Sequence, residues 1–286
     1  MPASQPVIDA IVAEHPGYRP LTLDLFRPET GRPPYPLVIW VHGGAWRFGT
    51  NKQDGPQLAP ARIGDRILAA GYALARVTYR LSAEAAFPAP LHDVKAAVRW
   101  LRHHAGELGL DHSRFAMWGE SAGGHLAALV ALSGDDPAAA GTGGVQGVSD
   151  AVRAGVIWYA PSNLLTMAAQ NHPEGLQDHD APDSPESRLV GGPVQQSPKE
   201  AAAASPVNYV TPDAPPLLLV HGEQDRIVPV GQSRELYERL SALGAPAELR
   251  IVPGADHCFV GADLAPLVRE GLDFLDRSLK PPSGRP

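Results

Sequence analysis

The sequence predicts an α/β fold, a mostly parallel eight-stranded sheet with helices on both faces and one short insertion. Three observations carry this. Short apolar runs alternate with helical stretches along nearly the whole chain. Leu37-Val38-Ile39-Trp40-Val41 is apolar at every position, as in a strand covered on both sides. Gly119-Glu120-Ser121-Ala122-Gly123 stands between a short apolar run and a longer one, which reads as strand, sharp turn and buried helix.

The elements follow in order. Residues 7–15 and 21–26 alternate apolar and polar side chains, as half-buried antiparallel strands do. A turn at Gly31-Arg32-Pro33-Pro34 leads into the strand at 37–41, which ends in His42-Gly43-Gly44-Ala45-Trp46. Residues 57–70 predict a helix stopped by Gly71, and 72–79 a strand. Residues 89–105 form an amphipathic helix, with Val94, Ala97, Val98 and Leu101 at helical spacing. The strand at 114–118 and the helix after Ser121 follow, then a Gly/Asp/Ala-rich loop over 134–150 and a strand at 154–159. Residues 161–206 break the rhythm, being rich in Pro, Asp, His, Gln and Ser. So long an irregular stretch inside a compact domain predicts a cover over the active site, partly helical. Alternation resumes with strands at 216–221 and 247–252 and helices at 230–243 and 263–279. Residues 1–286 thus form one domain, with 161–206 as a cap or lid insertion.

Bulk properties narrow the partners. The chain has 286 residues, 44% hydrophobic and 19% charged, enough for a large single core. A formal net charge of -7 argues against nucleic acid. No apolar run approaches the roughly 20 residues a bilayer requires, so no membrane partner is expected. The single cysteine, Cys258, cannot form an intrachain disulfide, and no signal peptide is visible at residues 1–10. The expected location is the cytoplasm. A homodimer stays open.

A G-x-S-x-G turn between strand and helix has the pattern of a nucleophile elbow, which lifts the serine hydroxyl off the end of the sheet. A serine hydroxyl needs a base in hydrogen-bond reach and a group to orient that base. In such sheets these groups stand in loops at the C-terminal strand ends. Two of those loops supply them: His221-Gly222-Glu223-Gln224-Asp225 and Gly254-Ala255-Asp256-His257. The order Ser121, Asp225, His257 is the one that accompanies an elbow serine. Asp256 is a rival acid, disfavoured because a residue adjacent to His257 rarely reaches its Nδ1. The oxyanion would be met by backbone N–H groups of Ala122, Gly44 and Ala45.

At these residues the chain resembles α/β-hydrolase esterases of the hormone-sensitive-lipase and bacterial feruloyl-esterase-like (BD-FAE) group. The resemblance rests on residues 42–46, 87–95, 119–124, 187–192, 205–206, 221–229 and 254–259. It implies the α/β-hydrolase fold and hydrolysis of a small-molecule carboxylic ester without metal or organic cofactor. Ala45 stands where the lipase branch has a third glycine. Ser162-Asn163 stands where that group often has Thr-Asp. Both departures bear on acyl preference.

Trp46, Phe87, Trp158 and Phe259 are candidates to line the substrate pocket, and each is as readily a core aromatic. His42 is expected to brace the oxyanion loop and His125 to be packed. His172, Asp178, His179, Asp180 and Asp183 match no ordered metal template and read as a solvated loop. The leading activity is a serine carboxylesterase for short-chain or aromatic esters. An arylformamidase would use the same machinery, and a non-catalytic small-molecule receptor could share the fold.

Overall fold

The computed structural model describes residues 5–279. Eight strands form one sheet: β1 (Val7–Ala13), β2 (Leu21–Phe26), β3 (Tyr35–Val41), β4 (Ala73–Val77), β5 (Leu110–Glu120), β6 (Ala154–Trp158), β7 (Leu217–Gly222) and β8 (Ala247–Val252). Their spatial order is β1-β2-β4-β3-β5-β6-β7-β8. The pairs β1/β2 and β2/β4 are antiparallel, and all others are parallel. This is the mostly parallel sheet expected from the alternation, with the α/β-hydrolase arrangement that the resemblance implies.

Period-two packing sorts the core into two layers. Leu37, Ile39 and Val41 of β3 face the layer that holds α2 (Ala89–His103), α4 (Ala122–Leu132) and α7 (Gly231–Ala242). Val38 and Trp40 face the layer that holds α1 (Ile63–Ala69) and α8 (Leu264–Leu279). The same split runs through Phe115 and Met117 against Ala116 and Trp118 on β5, and through Leu217 and Leu219 against Leu218 and Val220 on β7. With helices on both faces, the middle strands need no polar side, which is why their sequences are continuously apolar.

Two boundaries differ from expectation. Residues 57–70 do not make one helix. A single 3-10 turn at Ala59–Ala61 is followed by Arg62 at φ 47°, and only then by α1. Pro60 removes a backbone donor inside the stretch, so a continuous helix could not close its hydrogen bonds there. Likewise α2 stops at His103, and a separate turn, α3 (Ala105–Leu108), leads into β5. Residues 161–206 carry two short helices, α5 (Pro185–Val190) and α6 (Pro198–Ala203), among turns. Asp150 fastens the 134–150 loop, accepting from Lys95 Nζ at 3.0 Å and Arg99 at 3.1 Å, all three buried.

The strands β3, β5, β7 and β8 run parallel. The loops leaving their C-terminal ends therefore meet at one rim of the sheet, with β5 near the centre.

Candidate active site

Ser121 occupies the turn between β5 and α4 at φ 52° and ψ −124°, a backbone conformation rare for a residue with a side chain. The turn is held from both sides: Ser121 N–H donates to Trp158 O, and His125 N–H donates to Ser121 O, each at 2.9 Å. A side chain could not stand at position 123, because a Cβ there would lie 2.2 Å from the Val41 carbonyl oxygen.

His257 Nε2 lies 3.2 Å from Ser121 Oγ, and His257 Nδ1 lies 2.7 Å from Asp225 Oδ2. The structure thus brings Ser121, His257 and Asp225 into one hydrogen-bonded line. Asp225 is anchored in turn. Its Oδ1 accepts the backbone N–H groups of Ile227 (2.9 Å) and Val228 (2.8 Å). Burial pushes its carboxyl up, but hydrogen bonds from His221 and His257 outweigh this and hold it well below the usual carboxylate range. The rival, Asp256, is occupied elsewhere. It forms an ion pair with the Arg226 guanidinium and caps the His257 backbone N–H at 2.8 Å.

The loop after β3 carries the other expected groups. Gly44, Ala45 and Trp46 all have positive φ, at 113°, 53° and 54°. Gly44 O accepts from the N–H groups of Arg47 and Phe48, which closes a tight turn. Among the described residues the N–H groups of Gly44 and Ala45 have no protein partner, and the Ala122 N–H opens α4, where no intrahelical acceptor exists. His42 stacks on Tyr79 with ring centroids 4.5 Å apart, and its Nδ1 stands 2.7 Å from Gly43 O. Burial lowers its pKa to about 4, so it stays neutral and braces the loop.

One contact was not foreseen. The buried carboxyl of Glu120 accepts the Gly43 N–H at 2.6 Å. A Cβ at position 43 would meet that carboxyl at 2.4 Å. The signal was present in the sequence, since a charged side chain directly before an elbow serine has to find a partner at the strand end.

Two compartments open at Ser121. A cavity of about 750 Å³ includes His257, Gly44, Gln53, Asp54, Gln57 and Gln177 in its wall. A compartment of only about 20 Å³ lies between Trp46, Ala122, Pro161, Pro185, Glu186 and Val228. Trp46 is therefore at the site. Its Nε1 donates to His125 Nδ1 at 3.2 Å, and His125 Nε2 stands 2.6 Å from Ala204 O, which ties the loop to the 161–206 segment.

The other three aromatic candidates are elsewhere. Trp158 and Phe259 are 0% and 1% exposed, packed edge-to-face at 5.2 Å in the layer beneath α8. Trp158 shares the face of Val156, one pleat below, so its ring enters the α8 layer although its backbone stands at the rim beside Ser121. Phe87 lines a separate groove with Leu91, His92 and Tyr209. Cys258 borders the larger cavity, and burial pushes its thiol up to about 12. Of the His/Asp-rich stretch, His172 meets Gln224, and His179 is buried beside Glu186. Among the described residues no three His, Cys, Asp or Glu side chains converge as a metal site, and no helix is long and apolar enough to cross a membrane.

Comparison with known proteins gives a consistent result. The BD-FAE family model matches residues 23–240. The chain is 35% identical over 263 residues to Esterase LipQ of Mycobacterium tuberculosis, covering 90% of this chain and 58% of LipQ. It is 29% identical over 277 residues to Carboxylesterase NlhH of the same organism, covering 92% and 81%. A truncated carbohydrate esterase from gut microbiota superposes with a TM-score of 0.84 at 27% identity, over 98% of each chain. The chain spans little more than half the length of LipQ.

Proposed function

Because the chain belongs to the BD-FAE family, we propose that it is a serine carboxylesterase for short-chain carboxylic esters, working through an acyl-enzyme on Ser121. The observation that carries this reading is the hydrogen-bonded line from Asp225 through His257 to Ser121, beside unpartnered backbone N–H groups. His257 Nε2 takes the Ser121 proton as Oγ attacks the ester carbonyl. Asp225 holds the Nδ1–H tautomer and offsets the imidazolium charge. The N–H groups of Gly44, Ala45 and Ala122 receive the oxyanion, each contributing on the order of 3 kcal/mol at the transition state. His257 then returns the proton to the leaving alcohol. Water repeats the sequence on the acyl-enzyme and releases the acid.

We assign the leaving alcohol to the His257 side, in the large cavity, and the acyl group to the small compartment. About 20 Å³ is room for one water-sized group, which favours acetyl. Residues 161–206 serve as the cap, since Pro161, Pro185 and Glu186 close the acyl side. The esterase names of the relatives favour an ester over an N-formyl amide as substrate. We place the protein in the cytoplasm, where its one cysteine stays reduced, and take a homodimer as the assembly to test by light scattering.

A fluorophosphonate probe should label Ser121, and p-nitrophenyl acetate should be hydrolysed by the wild type and not by Ser121→Ala. An unlabelled, folded wild type would mean a receptor rather than an enzyme. Faster turnover of N-formylkynurenine than of any ester would mean an arylformamidase.

A further inference from the structure

His221 follows the apolar run Leu217-Leu218-Leu219-Val220 of β7. Alternation turns it to the face of Leu217 and Leu219, beneath α7, where it is 0% exposed. An imidazole buried there needs partners for both nitrogens, and it has them. Its Nδ1 stands 2.7 Å from Ser233 Oγ in the first turn of α7. Its Nε2 stands 2.9 Å from Val228 O and 3.3 Å from Asp225 Oδ2. Both neighbours of Nε2 are acceptors, so the ring proton belongs on Nε2, and Nδ1 of the neutral ring accepts from the Ser233 hydroxyl. Gln232, next to Ser233, accepts the backbone N–H groups of Ser162 and Asn163 at 2.7 Å each, so the turn that carries Ser233 is itself fixed.

Polar contacts therefore continue past Asp225 to His221 and Ser233. We propose that His221 is a positioning residue for the triad acid, its Nε2–H holding Asp225 Oδ2 and the 225–228 turn in place while His257 transfers its proton. The proposal rests on the esterase reading above. Asp225 is 1% exposed, and a carboxylate so buried keeps its charge and its orientation only if its oxygens are occupied. The N–H groups of Ile227 and Val228 occupy Oδ1. Oδ2 meets His257 Nδ1 at 2.7 Å, and His257 is the ring that has to serve first Ser121 and then the leaving alcohol. An acid held at Oδ2 by that ring alone would follow its movement. His221 gives Oδ2 a second, stationary neighbour, and through Val228 O it also fixes the residue whose N–H binds Oδ1.

The test is steady-state kinetics on p-nitrophenyl acetate with His221→Leu, His221→Gln and Ser233→Ala, each made in the wild-type and in the Asp225→Ala background. In the wild-type background His221→Leu, which keeps bulk and loses both nitrogens, should lower kcat about 10–100-fold with KM within about twofold. His221→Gln, whose amide N–H reaches toward the Nε2 position, should recover most of that loss. Ser233→Ala removes only the hydroxyl that fixes the ring proton. It should lower kcat about 3–10-fold, which keeps the role measurable if His221→Leu does not fold. In the Asp225→Ala background the same changes should cost less than about twofold, since no carboxylate is left to hold. Full losses in that background would make His221 a packing residue and overturn the proposal. So would an undiminished kcat in folded His221→Leu, or a loss that falls on KM alone. A wild type that neither hydrolyses p-nitrophenyl acetate nor takes a fluorophosphonate label would overturn the esterase reading, and the proposal with it.

Discussion

The Glu120 carboxyl accepts the Gly43 backbone N–H at 2.6 Å, across 77 residues of sequence, so the residue before Ser121 holds the loop proposed to receive the oxyanion. The proposed nucleophile and oxyanion donors are thereby linked by one direct contact rather than standing on two independent loops. Burial pushes the Glu120 carboxyl up, and the Gly43 N–H acts against that shift. Glu120→Ala should lower kcat by about 10–100-fold with little change in KM, because the donors act mainly at the transition state. Steady-state kinetics on p-nitrophenyl acetate checks the split. A rise in KM alone would assign Glu120 to substrate binding.

The choice of acid is settled by parallel variants. Ser121→Ala and Asp225→Asn should each lower kcat by about 10⁴-fold while circular dichroism and melting stay near wild type. Asp256→Asn should cost less than about tenfold, since its carboxyl is held by Arg226 and the His257 backbone rather than by the imidazole. Equal losses at Asp225 and Asp256 would reverse the assignment.

Acid should destabilise the protein through His42 and His125. Both are buried, and burial lowers each pKa from 6.5 to about 4. The folded state keeps them neutral while the unfolded chain takes up protons below about pH 6.5. Their contribution is therefore complete above that pH and is lost as pH falls toward 4. At pH 5 the loss is about 2 kcal/mol per histidine. Urea melts between pH 7.5 and 5 should show this slope, and His125→Gln should flatten it by about one proton. A slope unchanged in that variant would exclude His125.

Trp46 should set acyl length. Trp46→Ala opens the wall of the acyl compartment and should move the kcat/KM optimum from acetyl toward butyryl or hexanoyl. It should also cost about 3–5 kcal/mol of stability, for a buried indole that donates to His125. A uniform loss across a p-nitrophenyl ester series would leave Trp46 only a structural role.

The middle of the sheet was legible because its strands are apolar on both faces. A run such as residues 217–220 can be apolar throughout only if both faces are covered. The proposed acid and base could be sought in the sequence because the parallel strands bring their C-terminal ends to one rim, which reduces the search to a few loops. The pocket aromatics were not. Alternation shows that Trp158 shares a face with Val156, but not which face carries α8 and which the site. Glu186 and His179 lay in a stretch whose composition reads as solvated, and only packing reveals them as buried. The helix over 57–70 was lost to Pro60, whose effect competes with an otherwise helical pattern.

The division of space at Ser121 also has an evolutionary reading. The large compartment draws its distinctive wall from 48–57, and the small one from Trp46 and 185–186. Among the described residues, Ala45, Ser121, Gln177 and Ile227 alone border both. On the proposed assignment of the two compartments, mutations in the 48–57 loop can drift toward new leaving groups with little epistasis on the acid that is recognised. A lineage can change one half of its substrate while inheriting the other half intact.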